Sequence, residues 1–471
     1  MISSCPYTEV KLTNNKLRYY CGFLSWAFYI ITPSYAEIVA DENAPKHQQP
    51  DVFSVYMKES QSHCKALNAY CRGANYTTVN IQTPNEQGIS QNKYKKFNVL
   101  SGAGYDKVSL NNFISSSVTG NPNLVAKPAK VILNEVTSSY ISILNGPLIV
   151  AGDNAHVVIV NPAGIYCNGC HFINTDHVTL TTGLAILSDG YVRGYNVIEG
   201  IVEIGGNGLT LNDEIDSYLD IFSHSLTVEG EIRAKDILAI LGKNAVSYAP
   251  INGNVNVKSL VGFTSKDKDN IGLDVRYLGG MYANKIFIFS RDGQVKNAGV
   301  LNANKKTNII SKRSIKNSGK ISAENINLHS FALIDNQSGA IKNIRYPVDF
   351  NKNDKVGLNI ESRLFNNNKG YIYSNVGDVN IKVEGRFYNA YGMIRTIGTY
   401  GSTNIKIKAE VFHNFSGVIA TSNNINIDAD FVKNNEGRIV SAFGTLDLRY
   451  KTLEGKAGLL HGGIEVKQTL K

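Results

Sequence analysis

The stretch Asn161-Pro-Ala-Gly-Ile-Tyr-Cys-Asn-Gly-Cys-His-Phe-Ile-Asn-Thr-Asp-His-Val-Thr-Leu-Thr-Thr-Gly183 decides the fold. It lies between two β-rich segments, residues 157–160 and 178–182, and contains the turn-forming dipeptides Asn-Pro, Ala-Gly and Asn-Gly. Each dipeptide supplies restricted or positive φ angles, so the pattern predicts that one strand enters, the chain turns sharply, and another strand leaves. Taken alone, this pattern is compatible with a hairpin turn in any β protein.

A second Asn-Pro turn stands about 40 residues upstream of the first. It comprises Asn121, Pro122, Asn123 and Leu124, and the apolar segment 131–136 follows it. Three further motifs occur at residues 88–94 (Gly-Ile-Ser-Gln-Asn-Lys-Tyr), 97–99 (Phe-Asn-Val) and 278–283 (Leu-Gly-Gly-Met-Tyr-Ala). In these five motifs, taken in order, the chain resembles the secretion domain of two-partner secretion exoproteins, the filamentous haemagglutinin and haemolysin family.

The resemblance implies a route of export. A dedicated outer-membrane β-barrel transporter would recognise the unfolded secretion domain through periplasmic domains, and a β-helix would fold outside the cell. The resemblance nominates two sets of turn residues for secretion competence: Asn121, Pro122, Asn123 and Leu124, and Asn161, Pro162, Gly164 and Ile165. Two positions depart from the family pattern, because Ala163 stands where Asn is usual and His156 where Asp is frequent. The same residues could equally serve only to shape the turns.

Glycine recurs at intervals near 20 residues in the C-terminal half. Asn-rich turns end at Gly299, Gly319 and Gly339, and segments that begin with Phe365, Phe387, Phe412 and Phe431 end at Gly370, Gly392, Gly417 and Gly437. An Ile or Leu follows each glycine within two residues, and short alternating segments lie between the turns. This repeat is typical of a solenoid, in which stacked coils bury a shared apolar column that no single coil can bury.

The sequence therefore predicts an all-β fold, a right-handed parallel β-helix with coils of about 20 residues and short extra-helical β elements. The 42 glycines, 4 methionines and 1 tryptophan favour short strands and tight turns over helices. Runs such as Val157–Val160 lack strict alternation, which predicts strands that are buried against neighbouring coils. The net charge of +9 is spread over scattered lysines, so we expect a solvated surface and no nucleic-acid partner.

The N-terminus has the features of a secretory signal peptide. Lys11, Lys16 and Arg18 precede an apolar run over residues 21–32, and Ser34-Tyr35-Ala36 predicts cleavage after Ala36. A run of roughly 12 apolar residues is shorter than the about 20 that a membrane span needs. We therefore expect a soluble mature chain, secreted or at the cell surface after export across the inner and outer membranes of a Gram-negative bacterium.

Four cysteines follow the predicted signal peptide: Cys64, Cys71, Cys167 and Cys170. An even number in an oxidising compartment predicts two local disulfides, the first two residues with each other and the last two with each other. The Cys-Asn-Gly-Cys motif could instead be a redox pair, or a metal site together with His171 and His177. The sequence offers neither a βαβ setting nor a second ligand pair at zinc-finger spacing, so both alternatives are disfavoured.

The sequence contains no His-Glu-x-x-His, Gly-x-Ser-x-Gly or phosphate-loop motif. We therefore expect no enzyme activity, no cofactor and no metal site. The rival hypothesis is a polysaccharide-degrading enzyme on the same scaffold, which would need carboxylates on neighbouring coils. Asp213, Glu214 and Asp216 form an acidic patch, for which a polar loop is the favoured interpretation.

These expectations give an order of segments along the chain. The order is a signal peptide (1–36), a partly ordered leader (37–75), a secretion domain (76–290), haemagglutinin-type repeats (291–450) and a tail (451–471). We expect the exported chain to act in adhesion or haemagglutination by binding a receptor or glycan on a host or neighbouring cell. The alternative is a cytolysin or haemolysin, or a contact-dependent growth inhibition exoprotein truncated before its effector region.

Overall fold

Alternating apolar and polar residues form strands throughout the described chain, as a period of two residues predicts. The computed structural model describes residues 37–57, 74–100, 107–117, 119–211, 217–248, 255–260, 270–345, 356–397 and 403–471. Within these ranges the only helix is a 3₁₀ turn at Lys46–Gln48, and none could span a membrane. The predicted cleavage site at Ala36, the pair Cys64 and Cys71, and the acidic patch 212–216 lie outside the described residues.

The first 24 strands extend to residue 290. They are β1 (Ile38–Ala40), β2 (Asp51–Met57), β3 (Ala74–Asn80), β4 (Ile89–Phe97), β5 (Lys107–Asn112), β6 (Val131–Val136), β7 (Ser142–Leu144), β8 (Pro147–Gly152), β9 (His156–Val160), β10 (Ile165–Cys167), β11 (Cys170–Ile173), β12 (His177–Thr181), β13 (Leu184–Ser188), β14 (Tyr191–Val197), β15 (Ile201–Ile204), β16 (Leu209–Leu211), β17 (Tyr218–Ser223), β18 (Ser225–Val228), β19 (Glu231–Arg233), β20 (Asp236–Leu241), β21 (Asn244–Tyr248), β22 (Val255–Ser259), β23 (Ile271–Val275) and β24 (Gly280–Ser290).

The remaining strands follow from residue 294. They are β25 (Gln294–Asn297), β26 (Val300–Ser311), β27 (Ile315–Asn317), β28 (Lys320–Ala323), β29 (Asn325–Asp335), β30 (Ala340–Asn343), β31 (Gly357–Asn366), β32 (Tyr371–Ser374), β33 (Asp378–Val383), β34 (Arg386–Tyr388), β35 (Met393–Thr396), β36 (Ile405–His413), β37 (Val418–Thr421), β38 (Ile425–Lys433), β39 (Arg438–Ser441), β40 (Thr445–Tyr450), β41 (Thr452–Glu454), β42 (Leu459–Gly462) and β43 (Glu465–Leu470).

The strands stack in parallel into three faces, and longer strands bend around a corner to serve two of them. Face A runs β4, β6, β9, β12, β17, β20, β24, β26, β29, β31, β33, β36, β38, β40 and β43. Face B runs β7, β10, β15, β18, β23, β25, β27, β29, β31, β34, β36, β38 and β41. Face C runs β3, β5, β8, β11, β16, β19, β24, β26, β28, β30, β32, β35, β37, β39 and β42. The predicted parallel β-helix is thereby confirmed.

Inward side chains of the three faces form one continuous apolar core. On face C the same position is isoleucine in six successive coils, and each of these side chains is fully buried: Ile321, Ile341, Ile372, Ile394, Ile419 and Ile439. Each lies beside its equivalent in the coils before and after, so no coil buries its apolar side chains alone. The stack is the physical reason for the repeat seen in the sequence.

A buried asparagine ladder runs along the corner between faces B and C. Its members are Asn297, Asn317, Asn336, Asn367, Asn389, Asn414 and Asn434. Each Nδ2 donates to the Oδ1 of the next member at 2.7 or 2.8 Å. These amides are the Asn residues of the predicted turns, so the turn motif also links one coil to the next.

Residues 37–57, which belong to the leader predicted to be partly ordered (37–75), close the N-terminal end of the β-helix. Strand β1 pairs with β4 in an antiparallel manner, and β2 pairs likewise with β3. Asp41 joins this cap to a coil below, because its Oδ2 accepts a hydrogen bond of 2.8 Å from the Thr137 hydroxyl. The cap covers the first strand edges of faces A and C, which would otherwise present unpaired backbone groups.

A separate four-stranded antiparallel sheet of β13, β14, β21 and β22, here called the covering sheet, packs on the outside of face A. Its Tyr195, Val197 and Val246 form a second apolar cluster with outward residues of face A, among them Val158 and Phe222. These face A strands are therefore apolar on both sides. That is why Val157–Val160 lacks alternation: the covering sheet, and not only a neighbouring coil, buries its outward residues.

One repeat departs from the predicted Phe-to-Gly pattern. Phe365, Phe387 and Phe412 are buried and stack on one another, with ring centroids 4.8 and 5.1 Å apart. In the next coil Val432 takes the inward position and Phe431 is 44% exposed. The distance from Phe431 to Gly437 is one residue longer than in the other coils, and a shift of one residue turns a side chain to the opposite face of a strand.

Candidate functional site

The first predicted turn forms where the chain returns from face C toward face A. Asn121 is fully buried, and its Nδ2 donates to the carbonyl oxygens of Ile81 and Asn111, both at 2.9 Å. Its Oδ1 accepts the Asn123 amide at 2.9 Å, and its carbonyl accepts the Leu124 amide at 3.0 Å. The side chain therefore shapes the turn and also joins it to two neighbouring segments.

The other residues of the first turn divide into core and surface positions. Leu124 is fully buried in the core, whereas Pro122 is exposed. Asn123 is half-buried, and its Nδ2 donates to Asp51 Oδ2 at 3.1 Å, which links the turn to the N-terminal cap. Pro122 and Asn123 are therefore the nominated residues of this turn that a partner of the folded protein could touch.

The second turn repeats this geometry between faces A and B. Asn161 is fully buried and donates through Nδ2 to Tyr140 O and Ser142 Oγ, both at 2.9 Å. Its Oδ1 accepts the Ala163 amide at 3.0 Å. The backbone amide of Ala163, the position that departs from the family pattern, is therefore held by the Asn161 side chain, as the Asn123 amide is held by Asn121.

The end of the second turn depends on glycine and on core packing. Gly164 has φ of +127°, a conformation that L side chains rarely adopt. Ile165 begins β10 with its side chain buried, and Pro162 is half-buried. Both turns therefore place an asparagine side chain as a clamp between coils, and the folded protein hides the side chain that the resemblance nominates.

Cys167 and Cys170 are joined by a disulfide. It links the end of β10 on face B to the start of β11 on face C, across the turn formed by Asn168 and Gly169. Both cysteines are buried, and the Cys167 sulfur lies 3.7 Å from the carbonyl oxygen of Gly208 on the following coil. The bond therefore closes a corner of the coil that directly follows the second turn.

The structure reveals a polar cluster that the sequence did not indicate. His177 stacks on His156, not His171: the two rings lie 3.9 Å apart with an angle of 3° between their planes. His177 Nε2 lies 2.9 Å from Asp220 Oδ2, and the same oxygen accepts the Tyr248 hydroxyl at 3.0 Å. The two histidines are 21 residues apart, which is close to the length of one coil. This spacing could have predicted that they lie above one another on the same face.

These groups do not converge as a metal site does. Among the described residues, no group of three or more His, Cys, Asp or Glu side chains is arranged to hold a metal ion. His171 lies on face C whereas His177 lies on face A, so the structure does not bring that predicted pair together around the cysteines.

Comparison with known families supports a specific identity for this stretch of chain. The model of the TPS secretion domain matches residues 58–323, which include both Asn-Pro turns, the disulfide and the covering sheet. This range extends beyond residues 76–290, the bounds inferred from the sequence motifs, at both ends.

Curated relatives match about half of the chain. The chain is 38% identical over 278 residues to "Toxin CdiA" of Yersinia pestis, which covers 57% of this chain and 8% of the relative. It is 40% identical over 236 residues to "16S rRNA endonuclease CdiA" of Enterobacter cloacae subsp. cloacae, covering 48% of this chain and 7% of the relative. The chain thus spans less than a tenth of the length of these relatives.

This chain is also similar to a solved structure. The crystal structure of the filamentous hemagglutinin secretion domain aligns with 62% of this chain and 93% of its own length, at 25% identity and a TM-score of 0.48.

Proposed function

The chain belongs to the two-partner secretion exoproteins, and on that premise we propose that its two Asn-Pro turns are read by the periplasmic domains of its transporter before the coils close. A two-partner secretion domain has an outer-membrane transporter as its partner, and Gram-negative bacteria export such proteins to the cell surface or beyond. The observation that carries the proposal is that the match over residues 58–323 includes both turns.

The burial of the turn asparagines favours recognition of an unfolded chain. Asn121 and Asn161 have no exposed surface in the folded protein. The side-chain amide of each donates two hydrogen bonds to neighbouring segments. A transporter that contacts these amides must therefore do so before the coils stack. Folding outside the cell would then remove the signal and hold the chain on the far side of the membrane.

For the exported β-helix we propose adhesion to a receptor or glycan on a host or neighbouring cell. The relatives named CdiA support contact-dependent growth inhibition as the setting, with the β-helix as the part that meets the other cell. The nuclease activities in the names of some relatives are theirs, and the prediction that this chain is not an enzyme stays a prediction.

The test compares secretion of three variants of the intact chain, with and without a co-expressed cognate transporter. Asn121→Ala and Asn161→Ala remove the turn amides, and Asn389→Ala is the control because it removes an equally buried amide from the asparagine ladder. We expect transporter-dependent secretion of the wild type and of Asn389→Ala. The two turn variants should remain in the cells.

The control separates recognition from folding. If all three variants lose secretion in proportion to their loss of stability, the turn asparagines act through folding alone and the recognition proposal fails. If the wild type reaches the medium equally well without the transporter, the proposed partner is wrong.

A further inference from the structure

The covering sheet is held to face A by a polar cluster as well as by apolar packing. Tyr195 and Tyr248 of the covering sheet pack on Phe222 of face A, with ring centroids 5.5 and 6.2 Å apart. At the far tip of the β13–β14 hairpin, Asn85 Nδ2 donates to the Gly190 carbonyl at 2.8 Å. The sheet is thus fixed at its tip and through its tyrosines.

Polar side chains of face A connect the stacked histidines to the covering sheet. His177 Nε2 contacts Asp220 Oδ2, which also accepts the Tyr248 hydroxyl. His156 Nε2 lies 2.9 Å from Thr179 Oγ1, and the Thr179 side chain adjoins both Tyr195 and Tyr248. Each imidazole is therefore separated from the tyrosines of the covering sheet by a single side chain of face A.

The two histidines differ in how they can accommodate a positive charge. His177 faces the carboxylate of Asp220, which compensates a charge on its ring. His156 faces the Thr179 hydroxyl and the parallel ring of His177, and neither compensates a charge. A second proton on this pair would place two cations 3.9 Å apart.

The surroundings of His156 are those of a neutral imidazole. Burial, and next the facing ring of His177, lower the pKa of His156 well below its usual value of 6.5. Burial, and next the negative charge of Asp220, raise the pKa of both Tyr195 and Tyr248, so these two groups stay neutral. Further ionisable groups on the packed elements are Glu135 on β6, Tyr218 on β17, Asp236 on β20, Tyr191 and Arg193 on β14, Lys258 on β22, and Lys130, whose carbonyl accepts the His156 amide.

We propose that the stacked His156–His177 pair is an acid-sensitive latch that holds the covering sheet on face A at neutral pH and releases it on acidification. Protonation of His156 places a positive charge that no carboxylate compensates against the ring of His177, and it fixes His156 as a donor to Thr179. The strain falls on the contacts through which Thr179 and Asp220 hold Tyr195 and Tyr248. The face A part of the cluster lies on β9, β12 and β17, and the repeats hold none of it, so the coils of the repeats stay stacked. The latch is independent of the export route.

The sign of the pH dependence follows from linkage. A histidine whose pKa is lower in the closed state than in the open state binds its proton mainly in the open state. The closed state is therefore fully favoured above about pH 6.5, and it loses stability as the pH falls below that value. The opening equilibrium constant should rise by up to about tenfold per pH unit in this range.

The test is amide hydrogen exchange of the full chain at pH 7.5 and 5.5, corrected for intrinsic exchange rates. We expect roughly tenfold more opening of β13, β14, β21 and β22 at the lower pH, with little change in β32, β35 and β37. His156→Asn, which cannot gain a proton, should abolish this pH dependence. His413→Asn is the matched control, because burial also lowers the pKa of His413 but the residue lies on face B among the repeats.

A second variant separates the latch from general loosening. Tyr248→Phe removes the hydroxyl that binds Asp220, so the sheet should open more at both pH values with an unchanged ratio between them. The proposal is overturned if covering-sheet opening in the wild type does not depend on pH, or if His156→Asn keeps the full pH dependence. It is also overturned if the coils of the repeats open with acid as much as the covering sheet does.

Discussion

Glycine closes each corner of the repeats because the preceding coil leaves no room for a side chain. In Asn389-Ala-Tyr-Gly392 the residue with positive φ is Tyr391, at 55°, and not the glycine. A Cβ at Gly392 would lie 2.2 Å from the Asn367 carbonyl oxygen on the preceding coil. The glycine is therefore needed for close approach between coils and not for a left-handed conformation.

This contact predicts the effect of adding one methyl group. Gly392→Ala should lower the free energy of unfolding by about 1–3 kcal/mol, the usual range for overpacking, because the backbone of two coils must separate. Gly455→Ala is the control, since a Cβ there meets nothing within 4 Å. Chemical denaturation of both variants checks the difference, and equal losses of stability would show that close approach is not the reason for the glycine.

The column of Phe365, Phe387 and Phe412 allows a second test of how single residues stabilise the coils. Phe387 is fully buried between Phe365 and Phe412, so Phe387→Ala should cost about 3–5 kcal/mol by creating a cavity. Phe431, at the end of the same sequence pattern, is 44% exposed, and Phe431→Ala should cost far less. Thermal or denaturant unfolding of the pair measures this, and similar costs would contradict the assignment of Val432 as the inward residue.

Ladders of asparagine recur as elements of this fold, and burial decides what each contributes. Along the buried ladder, Asn389→Ala removes the acceptor 2.7 Å from Asn367 Nδ2, which keeps only the Gly370 carbonyl at 3.5 Å, and it leaves Asn414 Oδ1 without its donor. An unpaired buried polar group costs about 1–3 kcal/mol, so the variant should be clearly destabilised. Asn359 joins a similar ladder on the outside of face A, between Asn327 and Asn380, but there water can replace the lost partner. Asn359→Ala should change the unfolding free energy by less than about 0.5 kcal/mol, and a comparable loss in both variants would refute this distinction.

The repeats were predictable from sequence because the residues that define each coil lie close together in the chain. Each coil carries its own Asn-to-Gly corner and its own inward Ile, so spacing alone identified the parallel β-helix. The covering sheet was not predictable in the same way, because β14 pairs with β21 across almost 50 residues of intervening helix. The His156–His177 stack lay between these cases: its spacing near one coil was visible, but its partners Asp220 and Tyr248 come from another coil and from the covering sheet.

At the scale of the whole molecule, the β-helix divides into a covered part and a bare part. The N-terminal coils carry the cap, the disulfide and the covering sheet, whereas the repeats present Lys, Asn and Asp on the outside of face A. The family match, residues 58–323, includes the disulfide, the covering sheet and the first bare coils, whereas the cap strands β1 and β2 precede it. Elements that need long-range pairing are therefore concentrated in the N-terminal coils, and the rest is a simple stack of coils.

A stack whose coils pair only with their neighbours should respond to damage locally. Ile394 lies between Ile372 and Ile419 on face C, so Ile394→Ala should remove hydrogen-exchange protection first from β32, β35 and β37. Strands β9 and β12 lie many coils away and should keep their protection. The reciprocal control is Val158→Ala, under the covering sheet, which should expose β9 and β12 and spare the repeats. Exchange of the full chain measures both variants under the same conditions. If either substitution lowers protection evenly from β4 to β43, the described chain unfolds as a single cooperative unit, and the nearest-neighbour account of its stability is wrong.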